Sequence, residues 1–180
     1  MKKLALLSFA AALLLPAATL PAFAGDSLAV GTAAPSFTLP SQDNSPISLA
    51  DYKGKWVVLY FYPKDMTKGC TLEAHNFQRD LDKFKAANAV VLGVSFDTAS
   101  SHQTFCTKES LTFKLLADPD GKVIGDYGVP VKTYNDMKIA SRQTFLIDPS
   151  GKIVKTWPDV NADLIHHSEN VLAAIAAGGN

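Results

Sequence analysis

The sequence lacks a charge imbalance and is poor in cysteine. Its 180 residues include 17 basic and 17 acidic side chains, so the formal net charge is +0. That balance leaves no basic surface of the kind that binds nucleic acid. Two cysteines cannot build a disulfide-dense scaffold or a four-thiolate zinc site. Disorder is excluded as well, because 47% of the residues are hydrophobic, and the length fits one domain.

Several catalytic and metal-binding motifs are also missing. The chain has neither a glycine-rich phosphate loop nor a G-x-S-x-G nucleophile turn. The Cys-x-x-Cys of dithiol oxidoreductases is absent, because Glu73 stands where the second cysteine would follow Cys70. The four histidines do not form the pattern of three or more ligands that a metal needs. We therefore expect no metal site.

The first 24 residues carry the three-part pattern of a secretory signal peptide. Lys2 and Lys3 form a short basic region, residues 4–15 are without charge, and Ala22-Phe23-Ala24 is a small-x-small cleavage signal. The alternative is an uncleaved membrane anchor, which two prolines within the segment disfavour. We expect cleavage after residue 24.

The style of this segment is typical of a bacterium and indicates the periplasm. The mature chain of residues 25–180 would form a single domain without a membrane attachment. Because the periplasm oxidises thiols, Cys70 and Cys106 call for an explanation.

The remaining chain alternates between strand and helix patterns. Residues 56–62 form a continuous apolar and aromatic run, typical of a strand buried on both faces, and a helical period follows from Cys70. Strands are predicted over residues 56–62, 90–95, 113–117, 144–147 and 153–157, with two short ones around a turn at residues 41–45. Helices are predicted over residues 70–87, 100–110 (capped by Ser100 or Ser101), 122–127 and 163–177. This order predicts an α/β sandwich of the thioredoxin-like kind, with a central mixed sheet flanked by helices.

Cys70 lies where a buried strand and a loop lead into a helix. Free N–H groups and the positive end of the helix dipole meet there, and both favour a thiolate, the reactive form of cysteine. The dipole contributes only about 0.3–1 kcal/mol, so a nearby cation is needed as well. The alternative is that Cys70 is an inert, buried small side chain.

The residues before Cys70 form the pattern P-x-x-x-T-x-x-C, with Pro63 and Thr67 at its fixed positions. The Thr67 hydroxyl is close enough in sequence to share a pocket with the sulfur, and it can both donate and accept a hydrogen bond. Pro63 fixes the exit from the strand and can shield the thiolate from solvent. Alone, Thr67 could equally be an ordinary cap or turn residue.

Residues 60–74 resemble the active-site segment of peroxiredoxins, and more narrowly that of the bacterioferritin comigratory protein or Q-type branch. The similarity continues through residues 94–97, 115–118 and 142–148 and covers nearly all of residues 31–175. It implies a thiol peroxidase that reduces hydrogen peroxide or organic hydroperoxides without a metal or a bound organic cofactor.

The resemblance also implies roles for individual residues. Cys70 would be the peroxidatic nucleophile that becomes a sulfenic acid, Thr67 would orient the peroxide, and Arg142 would supply the cation. From the sequence alone, Arg142 is an arginine at the start of a strand and would be taken for a surface residue. A thioredoxin-like dithiol protein would donate the electrons, and the chain would be a monomer.

The second cysteine departs from the commonest pattern of this branch, which places a resolving cysteine five residues after the nucleophile. Here His75 occupies that position. Cys106, 36 residues after Cys70, fits a subgroup whose resolving cysteine lies in the following helix. The resemblance thus implies a Cys70–Cys106 disulfide. A disulfide requires Cα atoms within about 7 Å, and because both cysteines are predicted to lie on helices, we expect its formation to need local unwinding.

Three alternatives stay open at this point. Cys106 could have no role in a one-cysteine enzyme, or it could form a static structural bridge with Cys70. A thioredoxin-like redox sensor is the third, and it would oxidise once and stall instead of turning over.

Overall fold

A five-stranded mixed sheet organises the part of the chain that the computed structural model describes, residues 28–179. The expected signal peptide of residues 1–24 lies outside this range. The strands are β1 (Thr38–Pro40), β2 (Pro46–Ser48), β3 (Trp56–Phe61), β4 (Ala89–Ser95), β5 (Lys114–Ala117), β6 (Val131–Tyr134), β7 (Met137–Ala140), β8 (Gln143–Ile147) and β9 (Ile153–Trp157). The helices are α1 (Lys68–Arg79), α2 (Leu81–Ala86), α3 (Ala99–Glu109), α4 (Lys122–Asp126) and α5 (His167–Ala176). Within residues 28–179, no helix has the length and hydropathy to cross a membrane.

The central sheet has the strand order β5-β4-β3-β8-β9. Strand β3 pairs in parallel with β4 and antiparallel with β8, β4 pairs in parallel with β5, and β8 pairs antiparallel with β9. This confirms the mixed α/β sandwich expected from the sequence. The continuous apolar run of β3 is explained by its place in the middle of the sheet, covered on both faces.

Successive residues of β3 divide the core into two halves. Val58 and Tyr60 face a cluster formed with α1, α2, α3 and α5, whereas Val57, Leu59 and Phe61 face a second cluster formed with α4 and the strands before β3. Alternate side chains of a strand point to opposite faces, so one strand serves both halves. Both cysteines lie in the first cluster, on the same face of the sheet.

The helix predicted over residues 70–87 is two helices, and it begins earlier. Thr67 is the N-cap, so α1 starts before Cys70, and Asp80 separates α1 from α2. The buried Asp80 carboxylate accepts hydrogen bonds from Lys83 and from Ser168 of α5. A side chain anchored to a distant helix thus sets the break.

Two further boundaries differ from the prediction, and one hairpin is additional to it. Helix α3 is capped by Thr98, whose hydroxyl accepts from the Ser101 amide, and not by Ser100 or Ser101. The closing helix α5 is shorter than residues 163–177, because a 3-10 turn at Asn161–Asp163 precedes it. The β6–β7 hairpin was not predicted from the sequence, since its strands are almost wholly exposed and lack a buried alternating face.

We expect Gly93→Ala to destabilise the fold, because β4 passes closely against its neighbours at this residue. A Cβ there would lie 2.6 Å from Tyr60 Cζ and 2.7 Å from Leu115 Cδ2. Forcing a methyl group into a packed core costs about 1–3 kcal/mol. Urea unfolding of the reduced protein measures this. The matched control is Gly125→Ala in α4, where a Cβ meets nothing within 4 Å and better helix propensity should add up to about 1 kcal/mol. Equal stability of the two variants would contradict the packing argument.

Candidate active site

Cys70 is the third residue of α1 and is only 2% exposed. The first hydrogen bond of the helix runs from the Thr71 amide to the Thr67 carbonyl, at 2.9 Å. The Cys70 amide therefore belongs to the first turn, whose N–H groups have no partner within the helix. The thiol and this amide provide a nucleophile and a hydrogen-bond donor side by side.

Arg142 lies against the sulfur, with its Nη2 atom 3.4 Å from Cys70 Sγ. The register of the sheet explains this contact across 72 residues of chain. Gln143 at the start of β8 pairs with Phe61 at the end of β3, so the residue before Gln143 lies beside the loop that follows β3. Arg142 is 5% exposed, and the interpretation of it as a surface residue is wrong.

Glu73 is the residue that sequence reasoning missed. It lies one turn after Cys70 on α1, is 1% exposed, and accepts a hydrogen bond from Arg142 Nη1. Burial raises the pKa of Glu73 to about 7, with Arg142 acting in the opposite direction. Its Oε1 atom has no hydrogen-bond partner among the described residues. The available signal is its spacing of three residues from Cys70, which places the two side chains on one face of a helix.

Two more neighbours fix the guanidinium group. Asn161 Oδ1 accepts from Arg142 Nε at 3.2 Å. A Cβ at Gly69 would lie 3.2 Å from Arg142 Nη2, so the absence of a side chain there lets the arginine approach the helix. Burial would lower the pKa of Arg142, but Glu73 and Cys70 outweigh it and raise the pKa. The cation is therefore held rigidly and stays charged.

Thr67 and Pro63 both lie in the segment that joins β3 to Cys70. Thr67 is exposed, and its hydroxyl donates to the Lys64 carbonyl at 3.0 Å. It is the N-cap residue of α1, as the cap alternative expected, although its side chain makes no hydrogen bond to the helix amides. Because the hydroxyl hydrogen is used in the bond to Lys64, the oxygen can still accept a hydrogen bond from a ligand through its lone pairs. Pro63 is half-buried.

Cys106 lies in α3, 6% exposed, in the apolar cluster that also contains Cys70. Both cysteines are free thiols, so the static bridge is not part of this structure. Burial, with a contribution from the Asp65 charge, raises the pKa of Cys106 to about 11. In the folded α3, Cys106 is therefore protonated and a poor nucleophile.

The histidines do not join this group. His75 is half exposed, and its Nε2 atom lies 3.1 Å from Glu109 Oε2. Within residues 28–179, no cluster of three or more histidine, cysteine, aspartate or glutamate residues is placed to hold a metal ion. What the structure brings together at this site is a buried thiol and a fixed cation.

Comparison with known proteins gives consistent matches. Residues 30–156 match the AhpC/TSA family. A peroxiredoxin bcp of Coxiella burnetii is 46% identical over 143 residues, which cover 76% of this chain and 93% of that protein. The chloroplastic peroxiredoxin Q of Oryza sativa subsp. japonica is 45% identical over 123 residues, covering 68% of this chain and 56% of the plant protein.

Solved structures are similar as well. A mutant of Xylella fastidiosa PrxQ superposes with a TM-score of 0.79 at 35% identity, covering 87% of this chain and all of that chain. The Xanthomonas campestris bacterioferritin comigratory protein, from work on its alkyl peroxide reduction activity, has a TM-score of 0.72 at 33% identity, covering 80% and 92%. Two further structures are cysteine-to-serine mutants of Xanthomonas campestris peroxiredoxin Q, at positions 36 residues apart.

We expect Arg142→Lys to slow the oxidation of Cys70 by hydrogen peroxide about 100-fold or more, since losing one fixed donor to a developing charge costs that much. A lysine presents a point charge and cannot contact Glu73 and the sulfur with separate, rigidly spaced N–H groups. Stopped-flow measurement of the second-order rate constant tests this.

The control is Arg79→Lys on the exposed side of α1, where Arg79 pairs with Asp80 and Glu169. It should leave the rate within about threefold of the wild type, because a lysine keeps the positive charge and Arg79 pairs with Asp80 and Glu169, not with the sulfur. A similar rate in the Arg142 variant would remove this arginine from the site.

Proposed function

The chain belongs to the AhpC/TSA family as a peroxiredoxin of the bcp and Q kind, and from this premise we propose a two-cysteine catalytic cycle for it. It is a thiol peroxidase, an enzyme that reduces peroxides at the expense of a thiol reductant. The proposal assigns the steps of that activity to named residues. The observation that carries it is the contact of the Arg142 guanidinium with Cys70 Sγ at 3.4 Å.

In the first step the Cys70 thiolate attacks one oxygen of the peroxide. The S–O bond forms as the O–O bond breaks, and the departing oxygen takes up a proton to leave as water or an alcohol, which leaves Cys70 as a sulfenic acid. Arg142 and the Cys70 amide donate hydrogen bonds to the charge that develops on sulfur and oxygen. The Thr67 hydroxyl oxygen accepts a hydrogen bond from the O–H group of the peroxide and so orients it. Pro63 shields the sulfur from solvent.

The substrate class in this proposal is hydrogen peroxide or an organic hydroperoxide. Exposed apolar side chains near the start of α1 suit an organic tail, since Met66, next to Thr67, is 39% exposed and Ile165 is 59% exposed. Ile165 follows Leu164, whose Cδ2 atom would lie 3.8 Å from a Cβ at Gly69. The Xanthomonas campestris neighbour, studied for alkyl peroxide reduction, supports the same class.

In the second step Cys106 resolves the sulfenic acid. Its thiolate attacks Cys70 Sγ, the S–S bond forms as the S–O bond breaks, and the hydroxide leaves as water after taking up a proton. The separation of 36 residues equals that of the two cysteines replaced in the Xanthomonas campestris mutants. A thioredoxin-like dithiol protein then reduces the disulfide. Both cysteines belong to one chain, so a monomer suffices.

We expect the wild-type protein to lose about two mass units after one equivalent of hydrogen peroxide, because one disulfide removes two hydrogen atoms. Intact-mass analysis of the reduced mature protein tests this. Cys106→Ser should instead accumulate a sulfenic acid at Cys70 that a trapping reagent captures, and Cys70→Ser should show no oxidation.

The other outcomes separate the alternatives. A trappable sulfenic acid in the wild type would establish a one-cysteine enzyme and exclude the resolving role of Cys106. A disulfide that forms but is never reduced by any dithiol donor would favour a redox sensor over a peroxidase cycle.

We further expect the protein to be exported and cut after Ala24. The charge pattern of residues 1–24 supports this, and export would place the enzyme in the periplasm, where its donor must also work. Expression in a bacterium followed by osmotic-shock fractionation should yield a periplasmic chain whose N-terminal residue is Gly25. A chain of full mass in the cytoplasm or membrane fraction would overturn this part of the proposal.

A further inference from the structure

A buried polar cluster links the catalytic loop to α3, the helix that carries Cys106. Its centre is Asp65, which lies between Pro63 and Thr67 and has a side chain only 2% exposed. The two carboxylate oxygens accept hydrogen bonds from Tyr62 Oη at 2.7 Å and from Ser101 Oγ at 2.7 Å. The second oxygen also lies 2.9 Å from His102 Nδ1. Since a carboxylate only accepts, this nitrogen carries the proton.

The loop side of this cluster is fixed. The Asp65 amide donates to Asp97 Oδ2 at 2.9 Å, and the same oxygen accepts from Ser95 Oγ at the end of β4. Lys64 Nζ lies 3.2 Å from the other oxygen of Asp97. Burial would raise the pKa of Asp65, but the hydrogen bonds from His102, Ser101 and Tyr62 together lower it. The carboxylate is therefore an anion with good partners on an anchored loop.

The helix side is weaker. Serine, threonine, cysteine, histidine and phenylalanine supply seven of the 11 residues of α3, and all are poorer helix formers than alanine or leucine. Only His102, Phe105 and Cys106 are buried. His102 Nε2 is also buried without a hydrogen-bond partner among the described residues, and opening of the helix would let water reach it. Besides the packing of Phe105 and the pairing of Glu109 with His75, α3 is held in place by its two hydrogen bonds to Asp65.

His102 and Cys106 are one helical turn apart, so they lie on the same face of α3. Releasing Ser101 and His102 from Asp65 therefore frees the turn that carries Cys106. The release has a chemical effect as well, because solvent removes the burial that raises the pKa of Cys106 to about 11 and the thiol can then ionise. Opening of α3 thus lets Cys106 move towards Cys70 and also lets its thiol ionise to the nucleophilic thiolate.

We propose that Asp65, Ser101 and His102 form a latch that holds α3 on the catalytic loop and sets the rate at which Cys106 resolves oxidised Cys70. This inference rests on the resolving role of Cys106 proposed above. Ser101 and His102 are positioning residues, because they act on Cys106 through the helix and do not touch the reacting sulfur.

Two adjacent serines provide a matched test. Ser101→Ala removes a hydrogen bond to the Asp65 carboxylate and improves helix propensity, whereas Ser100→Ala makes the same chemical change at an exposed position of α3 outside the latch. Reduced mature protein of each is mixed with hydrogen peroxide, quenched at intervals and analysed by mass. Ser101→Ala should form the disulfide about three- to tenfold faster than the wild type, since a bond to a charged group is lost. Ser100→Ala should match the wild type or be slower.

Two further measurements separate the latch from a general loss of stability. Excess peroxide competes with Cys106 for the sulfenic acid, so Ser101→Ala should give proportionally less sulfinic acid. Hydrogen exchange of the reduced protein should quicken at residues 103–109 and stay unchanged in the central sheet. His102→Leu, which fills the same buried space with an apolar side chain and removes the hydrogen bond to Asp65, should act in the same direction as Ser101→Ala.

Equal disulfide rates for the two serine variants would overturn the latch. If the wild type forms no disulfide but α3 exchanges faster in Ser101→Ala, the resolving role of Cys106 fails while the mechanical link stands. If neither the exchange nor the rate changes in Ser101→Ala or His102→Leu, the link itself is wrong.

Discussion

The ion pair of Arg142 with Glu73, set against the sulfur of Cys70, is the interaction on which the site depends. A buried guanidinium needs an anion beside it, because removal of a charge from water is costly unless it is paired. Glu73 provides that anion from the same helix as the nucleophile, so one cation serves two acidic groups. Burial raises the pKa of Glu73 to about 7. When Glu73 is protonated, the Cys70 thiolate is the anion that pairs with the guanidinium group.

The fold delivers this arrangement through the register of the central sheet. Strand β3 ends at Phe61 and its antiparallel neighbour β8 begins at Gln143, which pairs with Phe61. The loop after β3 leads into α1, and Arg142 is the residue just outside the ladder. A slip of one residue would move the side chains of β8 to the opposite face of the sheet, so the contact at Cys70 depends on the observed pairing of Gln143 with Phe61.

The sequence allowed a sound prediction of what depends on local pattern. The buried strand, the loop with Pro63 and Thr67, and a helix around Cys70 all follow from runs of neighbouring residues. What it missed depends on distant partners. Glu73 accepts a hydrogen bond from Arg142, 69 residues away. Asp80, where the helix breaks, accepts one from Ser168, 88 residues away. The placement of Arg142 came from family resemblance, since no periodicity marks an arginine at the start of a strand.

The two halves of the proposed cycle place opposite demands on the same helices. Attack on peroxide needs α1 folded, because its free amides and the fixed guanidinium stabilise charge only at set distances. Disulfide formation needs α3 displaced, because in the folded state Cys106 is buried and protonated. A very stable α3 would leave the sulfenic acid exposed to a second peroxide, and a very loose one would disturb the loop that carries Thr67. A helix of weak formers whose first turn is bound to one buried carboxylate meets both demands, since two of the hydrogen bonds that hold it lie on the loop that leads to Cys70.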